Sequence, residues 1–281
     1  DHRDLHYPLR RQRQMCIRDR YKIDQGYVHA VAPRGLKGSN IRFSKISVGA
    51  TENLIIAACL AKGTTILNNC AIEPEIKDLT NFLNSGGAKI KWIGKRTVEI
   101  KGVKSLKKIS YSVMGDRIEC GTFCVAATIS KGNLKIKGFD PKLIDTELNL
   151  LKKVGAKIKI NEKLISIAGP EKIKPIKNIV TKEWPGVATD MQSQLMVLMC
   201  RANGKSTITE NIFENRFLHV GELQRLGADI QVKKNKAIIR GNTKFVGAEV
   251  MSSDLRASVA LVLAAIISNG KSTINRIYHL D

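Results

Sequence analysis

Acids and an arginine recur at the starts of long apolar runs. Asp190 opens TDMQSQLMVLMCRANG, Asp116 and Glu119 open DRIECGTFCVAATISKG, and Asp254 and Arg256 open SDLRASVALVLAAIISNG. A carboxylate suits general-base chemistry where it lies within hydrogen-bond reach of the proton it removes. A fixed guanidinium such as that of Arg256 can hold a phosphate or carboxylate through two N–H groups. The ordinary alternatives are plain. An acid at a helix start often does no more than interact with the helix dipole, worth a fraction of a kcal/mol to about 1 kcal/mol. Arg256 could simply pair with Asp254 or another nearby acid. A fourth run, ATENLIIAACLAKG, follows Lys45, Ile46, Ser47 and Val48, where Ser47 is placed to cap a helix.

The runs themselves are elements that must be buried, because a helix apolar on every side has no face to give to water. Several such helices imply an architecture with helices inside and sheets outside. Their polar starts are expected to emerge together at one end. Unpaired N–H groups and partial positive charge would make that end receptive to anions.

Between these helices the sequence repeats. The stretches GTTILNNCAIEPEIKDLTNFLNSGGAKIKWIGKRTVEIKG, GNLKIKGFDPKLIDTELNLLKKVGAKIKINEKLISIAG and GKSTITENIFENRFLHVGELQRLGADIQVKKNKAIIRG match along their length, and GKSTINRIYHLD opens a fourth. The pitch of roughly seventy residues is too long for a solenoid repeat and suits a βαβαββ unit. Each unit reads as a short strand (Thr64–Leu67, Ser206–Ile208), then an amphipathic helix with Ile144, Leu148 and Leu151 on one face, ending at Gly87, Gly155 or Gly227. A hairpin follows, turning near Gly94–Lys95, Asn161–Glu162 and Asn235–Lys236. Gly26–Val31 reads as the last strand of an earlier unit.

Residues 1–20 stand apart. They hold six arginines and no lysine, in a chain that otherwise prefers lysine, and fit no repeat. They read as a non-native or artefactual segment. The expected organisation is therefore 1–20 outside the fold, 21–114 as the C-terminal part of a first domain, and 115–281 as most of a second.

A formal net charge of +22 raises nucleic-acid binding as a rival function. The lysines are scattered singly, however, and aromatics make up only 5% of residues, so a base-stacking surface is poorly supported. Salt-sensitive retention of DNA or RNA would favour the rival. The apolar run from Ala257 to Ile267 is too short to span a bilayer, and no membrane association is expected. None of the six cysteines forms a CxxC pair or a zinc pattern, and Cys59, Cys124 and Cys200 fall within apolar helices as small buried thiols. They suit a reducing compartment, and a soluble cytoplasmic protein is the expectation.

Several segments in order carry a resemblance: KISVGAT, EPEIKD, GDRIECGTF, TDMQSQ, NIFENRFLHVGEL, SSDLRAS and RIYHLD. From about Asp24 to Asp281 the chain resembles the UDP-N-acetylglucosamine enolpyruvyl transferases. The resemblance implies an α/β fold, a two-domain inside-out α/β barrel of βαβαββ units with the active site between domains, here incomplete. It implies transfer of the enolpyruvyl group of phosphoenolpyruvate to a sugar hydroxyl of UDP-N-acetylglucosamine, the first committed step of peptidoglycan precursor synthesis. The hydroxyl adds to the central vinyl carbon, an acid protonates the terminal one, and phosphate leaves. No cofactor or metal is implied.

By the same resemblance, Lys45, Ile46, Ser47 and Val48 line the uridine pocket, largely through backbone groups. Asp190 contacts the attacking hydroxyl as the proposed base, and Ile212 contacts the nucleotide sugar through its backbone. Asp116, Glu119, Asp254 and Arg256 face the phosphoenolpyruvate pocket, while His219 and His279 brace loops. The family's first two units are not matched, nor the Lys-Asn pair that grips phosphoenolpyruvate, the loop carrying the acid (Cys or Asp), or an Arg beyond the last residue. The chain alone is therefore expected to be inactive. The nearest rival within the resemblance is the sister enzyme that loads shikimate phosphate.

Overall fold

The computed structural model describes residues 21–278. The segment 1–20 and the positions of His279 and Asp281 lie outside the described residues. The chain divides into two compact units between Met114 and Gly115.

In the first unit, strand Asn40–Arg42 runs parallel to Thr64–Asn68, with helix α1 (Val48–Cys59) as the crossover. Helix α2 (Pro74–Ser85) leads to Lys89–Gly94 and Thr97–Lys101, which form an antiparallel hairpin whose second strand pairs with Thr64–Asn68. The order is β-α-β-α-β-β. Tyr27–Ala30, read as the end of an earlier unit, pairs antiparallel with Tyr21–Asp24 in a separate hairpin.

The second unit repeats this plan. Helix α3 (Arg117–Ile129) and helix α4 (Asp145–Lys153) accompany a three-stranded sheet ordered Asn133–Lys137, Leu164–Ala168, Lys157–Asn161. Helix α5 (Gln192–Arg201) connects the parallel strands Asn178–Val180 and Lys205–Thr209. The short helix α6 (Val220–Arg225) precedes the hairpin Asp229–Lys233 and Lys236–Arg240. This hairpin turns at Lys234–Asn235, with Lys236 already in the strand, one residue earlier than the sequence suggested. Helix α7 (Leu255–Ile266) crosses between the parallel strands Glu249–Met251 and Thr273–Asn275. The amphipathic helices end at Gly87, Gly155 and Gly227 with φ of 95°, 109° and 99°, a region that a Cβ disfavours.

The core of the second unit gathers Cys124 and Val125 of α3, Leu195–Cys200 of α5 and Leu261 and Ala264 of α7, with the sheet side chains Ile165, Ile208 and Ile239. Every residue of α5 from Gln192 to Cys200 is buried, so this helix has no solvent face. Removing one such side chain, as in Leu195→Ala, is expected to cost about 2–5 kcal/mol. Helix α1 departs from the expectation of burial on all sides. Its Ile55 and Cys59 are fully buried, but Ile56 is 50% exposed, as is Leu60 just after it at 56%. The sheet of the first unit covers one side of α1 and leaves the other open. No helix among the described residues is long and apolar enough to cross a membrane.

Candidate functional site

The sequence has Asp190 opening the third buried helix, and the structure places it just ahead of α5. It sits in a 3₁₀ turn, Thr189–Met191, that leads into the helix. The turn lifts its carboxylate beyond the helix start, where it meets the guanidinium of Arg256. Nε of Arg256 donates to Oδ1 of Asp190 at 2.8 Å, and Nη2 makes an ion-pair contact with the same oxygen, also at 2.8 Å. Nη1 of Arg216 stands 3.6 Å from the same oxygen. The three side chains are 44%, 34% and 17% exposed for Asp190, Arg256 and Arg216, so the cluster is neither dry nor fully wet. The Arg216 guanidinium also lies 4.1 Å from the centroid of the Phe213 ring, a cation–π contact. Burial and the adjacent Arg256 charge push Arg216 below its ordinary value, against the opposing pull of Asp190, Glu210 and Asp254. An arginine starts so far above neutrality that it stays charged.

The starts of α5 and α7 come together to build this cluster, and α3 is tied to α5 beside them. Asp254 caps α7 by accepting from the N–H groups of Arg256 at 2.9 Å and Ala257 at 3.1 Å. Burial would raise the Asp254 carboxyl, but those N–H groups, Ser253 and the Arg256 charge together outweigh it and hold the group below its usual range. Ser193 at the head of α5 donates to the carbonyl of Arg256 at 3.2 Å, tying α5 to α7. Gln194 donates to Thr122 Oγ1 of α3 at 3.0 Å, tying α5 to α3. Asp116 caps α3, accepting from Ile118 N at 2.7 Å and Glu119 N at 3.2 Å. Both Asp116 and Glu119 are exposed, and neither joins the Asp190–Arg256 pair.

Three functional candidates escaped the sequence reading. Glu210, only 3% exposed, accepts from Thr189 Oγ1 at 2.9 Å beside Asp190, and from Ile212 N at 2.8 Å and Phe213 N at 3.2 Å. The N–H of Ile212 is thus engaged internally, which leaves its carbonyl for any backbone contact with a ligand. Glu147 of α4, also buried, accepts from Ala188 N at 3.2 Å, just before the turn. Burial raises its carboxyl, partly offset by the Ala188 bond and the Arg117 charge. Arg216 is the third. A signal for Glu147 was available: it lies three residues after Ile144 and shares the apolar face of α4 with Leu148 and Leu151. His219 is buried, and its burial pushes it down to about 4.

The other predicted segment lies in the first unit. Lys45 is exposed, and Ile46, Ser47 and Val48 are half-buried between strand Asn40–Arg42 and α1. Ser47 caps α1, accepting from Ala50 N at 3.3 Å, while its carbonyl accepts from Thr51 Oγ1 at 2.7 Å. Thr51 in turn accepts from Ala71 N at 3.0 Å, fixing the helix start against the chain after Asn68. Among the described residues no group of three or more His, Cys, Asp or Glu side chains is placed to share a metal ion.

Comparisons with known proteins bear on the family and the fold. The family model of EPSP synthase (3-phosphoshikimate 1-carboxyvinyltransferase) matches residues 13–281. A UDP-N-acetylglucosamine 1-carboxyvinyltransferase of Pelagibacter ubique is 63% identical over 262 residues, covering 93% of this chain and 63% of that protein. A protein of the same name from Trichlorobacter lovleyi is 49% identical over 260 residues, covering 92% of this chain and 62% of that one. The chain thus spans less than two thirds of the length of these curated relatives. Among solved structures, the enolpyruvyl transferase NikO from Streptomyces tendae matches with a TM-score of 0.86 at 23% identity, over 98% of this chain and 68% of that one. An EPSP synthase from Acinetobacter baumannii matches with a TM-score of 0.68 at 18% identity, over 96% and 66%. The inside-out α/β architecture is that of the enolpyruvyl transferases, and the chain belongs to the EPSP synthase (3-phosphoshikimate 1-carboxyvinyltransferase) family.

Proposed function

We propose that this chain carries part of the active site of an enzyme that transfers the enolpyruvyl group of phosphoenolpyruvate to a sugar hydroxyl of UDP-N-acetylglucosamine, releasing phosphate. The observation that carries the reading is the engagement of Asp190 by Arg256, with Arg216 beside it, where the starts of α5 and α7 meet. This is a carboxylate among fixed cations, and it suits a hydroxyl nucleophile next to an anionic co-substrate. The 63% identity to a protein named for that acceptor supports UDP-N-acetylglucosamine over shikimate phosphate. A cytoplasmic location accords with these substrates.

In this reading Oδ1 of Asp190 is held by arginine and Oδ2 faces the sugar hydroxyl. The hydroxyl oxygen bonds to the central carbon of phosphoenolpyruvate as its proton passes toward Asp190, and an acid group other than Asp190 gives a proton to the terminal carbon. Loss of a proton from that carbon then restores the double bond as the C–O bond to phosphate breaks. Arg256 and Arg216, with the N–H groups at the helix starts, stabilise phosphate and carboxylate charge through both steps. Asp116, Glu119 and Asp254 belong to the same phosphoenolpyruvate-facing end, Asp254 acting through its hold on the backbone of Arg256. Lys45, Ile46, Ser47 and Val48 supply the uridine contacts, and the Ile212 carbonyl contacts the nucleotide sugar.

The test is phosphate release from phosphoenolpyruvate by the complete gene product, with UDP-N-acetylglucosamine or shikimate 3-phosphate as acceptor. Release with the nucleotide sugar alone is expected. Release only with shikimate 3-phosphate would replace the acceptor, and release with neither would refute the reading.

A further inference from the structure

We propose that Glu210 is the positioning residue of this site, a buried carboxylate that locks the Asp190 turn to the Ile212–Phe213 backbone. Its Oε1 accepts from Thr181 Oγ1 at 2.8 Å, Ile212 N at 2.8 Å and Phe213 N at 3.2 Å, and its Oε2 accepts from Thr189 Oγ1 at 2.9 Å. Two routes then run from Glu210 to Asp190. One passes through Thr189, the neighbour of Asp190 in the turn. The other passes through Phe213, whose ring carries the Arg216 guanidinium at 4.1 Å, and Arg216 Nη1 stands 3.6 Å from Asp190. Base, cation and sugar-loop backbone are therefore set by one side chain that is itself buried.

The repeat supplies an internal control. In each unit the strand after the opening glycine pairs along its whole length with the second hairpin strand, ending at Asn68, Lys137 and Thr209. The next residue is Asn69, Gly138 or Glu210. Asn69 donates to the carbonyl of Phe43 at 3.0 Å, and Gly138 has no side chain. The unit folds without an acid at this strand exit. A buried carboxylate is costly unless fully hydrogen-bonded, so its presence in one unit alone calls for a local reason. That unit is the one that carries the Ile212 loop and whose parallel strands are bridged by the Asp190 turn and α5. The inference rests on the proposed transfer reaction for what is positioned, while the locking itself is physical and can be measured without substrate.

Three variants separate the arms. Glu210→Ala removes both, Glu210→Gln keeps the three bonds to Oε1 and can donate to Thr189, and Thr189→Val cuts only the Oε2 arm. Amide hydrogen exchange on the 281-residue chain is expected to quicken at least about tenfold at Ile212 and Phe213 in Glu210→Ala, to recover in Glu210→Gln, and to stay slow in Thr189→Val. In the complete gene product, Thr189→Val is expected to lower kcat about tenfold or more with KM for UDP-N-acetylglucosamine within about twofold, read well below a melting temperature that the unpaired Oε2 lowers. Unaltered exchange at both amides in Glu210→Ala would overturn the locking, as would exchange in Glu210→Gln as fast as in Glu210→Ala. Parent-like kinetics in Thr189→Val would overturn the positioning of Asp190. If the parent protein transfers no enolpyruvyl group, the functional reading fails, while the exchange data still decide the role of Glu210.

Discussion

Asp190 and Arg256 lie 66 residues apart in the chain, yet two nitrogens of the guanidinium converge on one carboxylate oxygen. A pair so built acts as a unit, and single substitutions should not add. Asp190→Ala in the complete gene product is expected to lower turnover at least about a hundredfold. Arg256→Ala should mainly weaken the use of phosphoenolpyruvate, and also loosen Asp190. The double variant should then fall well short of the product of the two single effects. Steady-state kinetics of all four proteins measure this, and strictly multiplicative losses would show that the pair is not coupled in the reaction.

Arg216 offers a separable test, because its charge and its planar stacking can be divided. Arg216→Lys keeps a cation near Asp190 but loses the flat guanidinium over Phe213. Such replacements are not conservative at stacked sites. The lysine variant is expected to raise KM for phosphoenolpyruvate several-fold, with Phe213→Leu producing a smaller change in the same direction. Equal kinetics for Arg216→Lys and the parent protein would mean that only the charge matters.

His219 sets an acid limit on the stability of the second unit. Burial lowers its value from 6.5 to about 4, so between those limits the unfolded chain takes up a proton that the folded chain refuses. Stability is therefore full above pH 6.5 and falls as the pH drops toward 4, by up to about 3 kcal/mol. Asp254, held below its ordinary 3.8, adds a loss at lower pH still. Glu147 works the other way, since burial raises it above 4.5 and acid relieves its charge. Urea denaturation across pH 4–7 should show the slope, and His219→Gln should flatten it. An unchanged slope in that variant would assign the acid sensitivity elsewhere.

The helices were legible because their signals are local. Each position of α5 from Gln192 to Cys200 is apolar or an uncharged polar residue, and all are buried. Each repeat opens and closes on a glycine, and the strand–helix–hairpin order between them follows from period alone. Asp254 as a cap could be read from its place before an apolar run, and so could Asp116. What could not be read was their association. The meeting of Asp190 with Arg256 depends on how α5 packs on α7 and on a 3₁₀ turn that moves Asp190 off the helix. Glu210 gave no periodic signal at all, since one acid at a strand end resembles any solvated turn residue. Only the donors around it, drawn from residues 181, 189, 212 and 213, reveal its place.

Adjacent isoleucines of α1 provide the last prediction. Ile55 is fully buried and Ile56 is 50% exposed, with Leu60 just past the helix at 56%. Helical geometry puts neighbours about 100° apart, so one packs under the sheet while the other points away. Ile55→Ala should cost about 2–5 kcal/mol, through lost transfer energy and a residual cavity. Ile56→Lys should change stability by no more than about 0.5 kcal/mol, because it disturbs no packed surface. The two tryptophans allow the first unit to be followed by itself. Trp92 lies in its hairpin, and a Trp184→Phe background removes the reporter from the second unit. Urea titration of Trp92 fluorescence in the 281-residue chain would measure both substitutions. Light scattering should also show less self-association for Ile56→Lys with Leu60→Lys, since exposed apolar side chains promote it. A loss of several kcal/mol from Ile56→Lys would place that side chain in a packed interface and refute the one-sided burial of α1.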